Sequence, residues 1–95
     1  MTYTYVLLSD KDSEWYTGST RDLRTRLRMH AEGRVRSTVS RRPLKLIYYE
    51  AGLSDVDGFR RERFLKTGKG KRFIRKRLAD FLRGLPAHKL ERPKA

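Results

Sequence analysis

Cysteine is absent from the 95 residues, which excludes a disulfide framework, a thiolate metal site and a cysteine nucleophile. Histidine is nearly absent. His30 and His88 are the only two, too few for a zinc centre built from imidazoles. Long apolar runs are missing as well, since Val6-Leu7-Leu8 and Leu46-Ile47-Tyr48-Tyr49 fall far short of a membrane span or a signal-peptide core. A soluble, cytoplasmic protein with no membrane partner is therefore expected. Acid is scarce too: 11 Asp and Glu stand against 24 Lys and Arg, a formal net charge of +13. So large an excess on one small domain points to a polyanion, with nucleic acid as the first candidate.

What is present is enough for a thin core. Hydrophobic residues make up 37% of the chain, and 11% are aromatic, a content that disordered chains lack. Thr2 to Ser9 has the β-formers of a strand, with Tyr3, Tyr5, Val6, Leu7 and Leu8. The turn residues Ser9-Asp10-Lys11-Asp12-Ser13 follow, then a short second strand, Trp15-Tyr16-Thr17, stopped by Gly18. This hairpin sets Tyr5 roughly opposite Tyr16, to within about two residues of register.

Ser19 and Asp22 have the spacing of a capping box. The helix they open carries Leu23, Leu27 and Ala31 as a buried stripe, with Arg26 and His30 on its flank and Gly33 at its end. An acid-free loop with Arg34, Arg36, Arg41 and Arg42 leads to a third strand, Leu44 to Tyr49, whose apolar residues on both faces predict cover on both sides. Ser54 caps a further helix that runs to about Lys66. One last helix is expected from Lys71 to about Arg83, with Ile74, Leu78, Phe81, Leu82 and Leu85 on one face and Lys71, Arg72, Arg75 and Lys76 on the other. Residues 1–83 form the domain, and 84–95 a basic, proline-containing tail. The β-β-α-β-α-α order predicts an α+β fold, a small three-stranded antiparallel sheet flanked by helices. The glycines of Thr67-Gly68-Lys69-Gly70-Lys71 follow a helix, not a strand, and make no phosphate loop.

Tyr3-Thr4-Tyr5, a hairpin, and then Tyr16-Thr17-Gly18 resemble the paired motif of the GIY-YIG nuclease family. Arg26 and His30 stand at that family's distances in the first helix, and Glu62, within Phe59-Arg60-Arg61-Glu62, stands where it has its metal-binding glutamate. The likeness covers about residues 3 to 80 and is closest to the small stand-alone members. It implies a divalent-metal-dependent endonuclease that hydrolyses DNA phosphodiester bonds, selecting strand structure (branched, nicked or single-stranded) ahead of base sequence. Tyr5, Tyr16, Arg26, His30 and Glu62 are then its catalytic residues.

Elementary chemistry fits those positions. Glu62 offers one carboxylate to a single Mg²⁺ or Mn²⁺ ion, with water and phosphate oxygens completing the shell. Arg26 can meet the non-bridging oxygens in a bidentate way, and Tyr5 or Tyr16 can take the proton from water. Arg34, Arg36, Arg41 and Arg42 of the loop, with Lys71, Arg72, Arg75 and Lys76 of the last helix, are the candidates for holding the nucleic acid.

Each residue taken singly has a structural use. The tyrosines are strand formers, His30 is a helix-end cap as readily as a phosphate ligand, and Glu62 with Lys66 is an ordinary i,i+4 pair. Their joint spacing carries the catalytic reading. The chain departs from the family pattern in having Tyr3 in place of the first motif's glycine and Ser19 where some members have lysine. It also has no counterpart of a late asparagine. A non-catalytic nucleic-acid-binding module on the same scaffold is the alternative.

Overall fold

Thr2–Ser9 forms β1, and Trp15–Thr20 forms β2. In the computed structural model, which describes residues 1–86, they are followed by α1 (Leu23–Ala31), a 3-10 turn (Val39–Arg41), β3 (Leu44–Gly52), α2 (Asp55–Leu65), α3 (Gly68–Arg77) and α4 (Ala79–Arg83). The three strands form one antiparallel sheet in the order β2-β1-β3, the expected α+β arrangement. Residues 87–95, most of the expected tail, lie outside the described residues. Among the described residues no helix is long and apolar enough to cross a membrane.

β1 is the strand covered on both faces, and every residue from Thr4 to Ser9 is buried. Alternation along it separates two layers. Val6 packs with Leu65 and Ile74 of α2 and α3, while Thr4 Oγ1 donates to the Gly58 carbonyl of α2 (3.3 Å). Tyr5, pointing the other way, meets α1. Close approach between α2 and α3 depends on Gly70, where a Cβ would stand 2.0 Å from the Phe64 carbonyl oxygen.

Several local expectations are corrected. β3 was expected to be covered on both sides, but it is an edge strand, and Tyr49 is 54% exposed. Its Tyr48 packs edge-on to Phe73 of α3 (6.5 Å between ring centroids), so among the described residues the cover there comes from the α3 side. β2 does not stop at Gly18. It runs on to Thr20, because Gly18 and Ser19 continue the ladder opposite Tyr5 and Thr4. The cap of α1 is Asp22, whose carboxylate accepts from the Thr25 amide (3.1 Å), and not Ser19. The supposed stripe is also misplaced: Leu23 and Leu27 are half-buried, Ala31 is exposed, and His30 is the buried residue of the helix. The last helix begins at Gly68, capped by Thr67, and breaks at Leu78 into α3 and α4.

Candidate active site

The register of the hairpin places Tyr5 directly opposite Gly18. A Cβ there would stand 2.5 Å from the Tyr5 hydroxyl and 2.7 Å from its Cζ. Glycine is the residue that lets the Tyr5 ring lie across β2. Tyr16, opposite Leu7, is the diagonal neighbour of Tyr5, with ring centroids 6.4 Å apart. Arg26 and His30, one turn apart on α1, supply the other side. The imidazole meets both tyrosine rings edge-on, at 5.6 Å from Tyr5 and 5.3 Å from Tyr16.

His30 is 1% exposed and Tyr5 0%. His30 Nε2 lies 2.8 Å from the Tyr5 hydroxyl, and Nδ1 lies 2.7 Å from Thr38 Oγ1. Burial, reinforced by the charge of Arg26, pushes the histidine pKa down to about 4. The ring is therefore neutral at pH 7, with one nitrogen donating and the other accepting. Burial also raises the pKa of the Tyr5 phenol, and the Arg26 guanidinium beside it opposes that rise. Arg26 in turn is held more firmly protonated, first by Tyr5 and, after a loss to desolvation, by Tyr16 as well. The arginine thus faces both phenols. Tyr16 is half-buried, and the Ser37 hydroxyl donates to its oxygen across a long 3.4 Å.

Thr38 reaches His30 because the chain doubles back after α1. The Gly33 amide donates to the His30 carbonyl (3.2 Å) and the Arg34 amide to that of Met29 (2.9 Å). This is a Schellman closure with Gly33 at φ +75°, a conformation that favours glycine. The expected helix end at Gly33 is where this reversal occurs.

Glu62 comes from α2. Its Oε1 accepts from the Ser19 hydroxyl (2.5 Å) and its Oε2 from Lys66 Nζ (2.9 Å). Its charge also acts on the Tyr5 phenol, raising that group's pKa. Among the described residues no three His, Asp or Glu side chains gather as a ready-made metal cage. A single carboxylate fits one hard ion that keeps water in most of its shell. Lys66, more than half exposed on a flexible stem, can give up its oxygen to such an ion.

The expected nucleic-acid residues divide into distinct groups. Arg34 and Arg36 are exposed in the loop after α1, Arg34 lying 3.7 Å from Glu32. Arg41 is occupied internally, since its Nε donates to Asp12 (2.7 Å) and its NH2 to the Trp15 carbonyl (3.4 Å). Arg42 donates to the carbonyls of Val39 (3.1 Å) and Ala31 (3.3 Å). Lys71, Arg72, Arg75 and Lys76 ride on α3, whose Ile74 packs beneath Val6. The sheet thus lies between α3 and the layer of Tyr5 and His30. Arg75 lies over the Trp15 ring, 6.0 Å from its centroid.

Sequence reasoning missed Thr38, Ser37 and the role of Ser19. Their partners are distant along the chain, Ser19 and Glu62 being 43 residues apart. The one available signal was a Ser-Thr pair, Ser37-Thr38, inside an otherwise arginine-rich loop.

Paired tyrosines on a hairpin, an arginine facing both phenols and a glutamate from the next layer are what this small α+β domain presents. The family model described as the GIY-YIG catalytic domain matches residues 1–85, and the chain belongs to that family. Among curated relatives it is similar to UPF0213 protein YazA of Bacillus subtilis, 32% identical over 65% of this chain and 64% of that protein. It is also similar to UPF0213 protein SH2523 of Staphylococcus haemolyticus, 36% identical over 68% of this chain and 79% of that protein. A UPF0213 protein of Streptococcus pneumoniae is 38% identical over 70% of this chain and 68% of its own length. The chain thus spans just under two thirds of YazA and somewhat more of the other two. No solved structure matches.

Proposed function

We propose that the chain is a divalent-metal-dependent endonuclease that hydrolyses DNA phosphodiester bonds and selects its substrate by strand structure. The observation that carries this reading is Arg26, a permanent cation facing two phenols beside a buried neutral imidazole. Fixed positive charge next to groups that can move a proton suits a phosphate that gathers negative charge as it reacts, and this supports the reading.

The two tyrosines then have different tasks. Tyr5 is fully buried and bonded to His30, so it holds the arginine and stays away from water. Tyr16 is the more accessible phenol, half-buried and reached by the Ser37 hydroxyl only across 3.4 Å, so it is the proton relay in this reading. As the attacking water forms its bond to phosphorus, the Tyr16 oxygen takes the water's proton while the phenol's own hydrogen passes on to solvent. Arg26 steadies the charge on the non-bridging oxygens, and the bond to the leaving oxygen breaks, that oxygen taking its proton from solvent. His30 and Thr38 are positioning residues. Glu62 would hold one Mg²⁺ or Mn²⁺ ion, which when bound supplies Lewis-acid stabilisation to the phosphate and leaving oxygen.

The Lys66–Glu62 pair favours a second reading, a nucleic-acid-binding module without cleavage, because the carboxylate is already compensated. One assay separates them. Purified protein is incubated with labelled single-stranded, duplex, nicked and branched DNA in EDTA, Mg²⁺ or Mn²⁺, beside Glu62→Gln, Tyr16→Phe and Tyr5→Phe. Metal-dependent cutting lost in Glu62→Gln and more impaired by Tyr16→Phe than by Tyr5→Phe is the expected result. Salt-sensitive binding with no cutting on any substrate would replace the nuclease reading with the binding module.

A further inference from the structure

We infer that the groove between α1 and β3, walled by Tyr3 and Tyr49, is a stacking subsite for one unpaired nucleobase. The inference rests on the reading of the neighbouring site as a nucleic-acid site and names the strand state that site accepts.

Tyr49 is the Cα partner of Tyr5 across the β1–β3 ladder, so both side chains leave the same face of the sheet. Adjacent strands are about 5 Å apart, which puts Tyr49 one strand from the candidate catalytic tyrosine. Unlike Tyr5 it is 54% exposed. Its ring meets Tyr3 at 6.3 Å between centroids, tilted by 53°. Leu23, Leu27 and Arg24 line the groove together with Arg21, whose guanidinium is held by the Asp55 carboxylate. Asp22 also borders it, but its carboxylate is turned to the helix end, accepting from the Thr25 amide (3.1 Å) and hydroxyl (2.7 Å).

Aromatic and aliphatic lining beside the Arg24 cation suits a flat, apolar ring attached to a phosphate. A nucleobase is such a group, and the chain's net charge of +13 favours the strand that carries it over an apolar peptide. A base inside a duplex has both faces stacked and cannot enter. The subsite therefore admits the neighbour of the scissile nucleotide only where the strand is unpaired.

The test is a binding measurement in EDTA, where cleavage cannot occur. Fluorescence anisotropy is used with a short single strand carrying its bases and with the same strand made abasic at its central positions. Both are prepared as DNA and as RNA, and wild type is compared with Tyr49→Ala and Tyr49→Trp. Tyr49→Ala is expected to weaken the intact strand about tenfold and leave the abasic strand unchanged, with Tyr49→Trp retaining tight binding. The nucleic acid that shows this coupling more strongly is the source of the base.

Equal weakening of intact and abasic strands, or no weakening of either, overturns the subsite while leaving the nucleic-acid reading in place. Coupling in a protein that never cuts supports the subsite and removes the nuclease reading. No binding of any strand at low salt overturns both. Circular dichroism of each variant shows whether the sheet is intact, and if the alanine variant unfolds, wild type and Tyr49→Trp binding the abasic strand as tightly as the intact one overturns the subsite.

Discussion

Protonating His30 is the sharpest perturbation of the site's interior, because the ring is buried with both nitrogens bonded. Its pKa is about 4 in the folded protein against an ordinary 6.5. Between those values the unfolded chain binds the proton and the folded one does not, so stability rises with pH across the window. The full contribution is present above about pH 6.5 and is lost as pH falls, by about 2 kcal/mol at about pH 5 and about 3 kcal/mol at about pH 4. The carboxylates with lowered pKa values, Asp12, Asp22 and Asp55, lose their contributions below the ordinary carboxylate value of 3.8. Their window lies under the histidine's. The assay is urea unfolding at about pH 7, 6 and 5, with thermal melts beside it, on wild type and His30→Gln. An amide in that place can still serve Tyr5 and Thr38 but cannot titrate. Wild type should lose roughly 10 °C in melting temperature between about pH 7 and pH 5, and His30→Gln should be nearly flat. A flat wild type, or the same slope in both proteins, would refute a buried neutral imidazole.

Two further tests bear on how the site is held and how the strand is met. Gly18→Ala puts a methyl group within 2.5 Å of the Tyr5 hydroxyl and should cost about 1–3 kcal/mol and most of the cleavage rate, read by melting and by the cutting assay; a variant as stable and active as wild type would show that the ring is not fixed by this contact. Arg41→Ala breaks the Asp12 pair and the bond to the Trp15 carbonyl, so it should cost about 1 kcal/mol of stability and leave the salt dependence of DNA binding unchanged. Arg34→Ala and Arg36→Ala should instead lower the slope of log affinity against log salt by about one each, measured by titrating binding against NaCl.

How much of this was legible in the sequence depends on the range over which each feature is encoded. β1 was legible because an eight-residue run of β-formers has few other fates. The hairpin that carries Tyr5 and Tyr16 was legible because its turn residues sit between two such runs. α1 was misread for a physical reason. Its leucine spacing implied an aliphatic inner face, yet its buried member is His30, which is satisfied by a phenol from β1 and by a hydroxyl eight residues further on. A hydropathy pattern scores that imidazole as a surface group, because the bonds that make burial tolerable come from elsewhere in the chain. β3 was misread from the opposite direction. Tyr48 and Tyr49 look equally apolar in sequence, but α3 covers one through Phe73 while the other is 54% exposed. Ser19 shows the same principle at longer range. As a cap it would have served backbone three residues away, but continuation of β2 past Gly18 carries its hydroxyl to Glu62. Local signals thus place the chain's elements, while the polar groups that give the site its protonation states are set by the packing of α1 and α2 on opposite faces of β1.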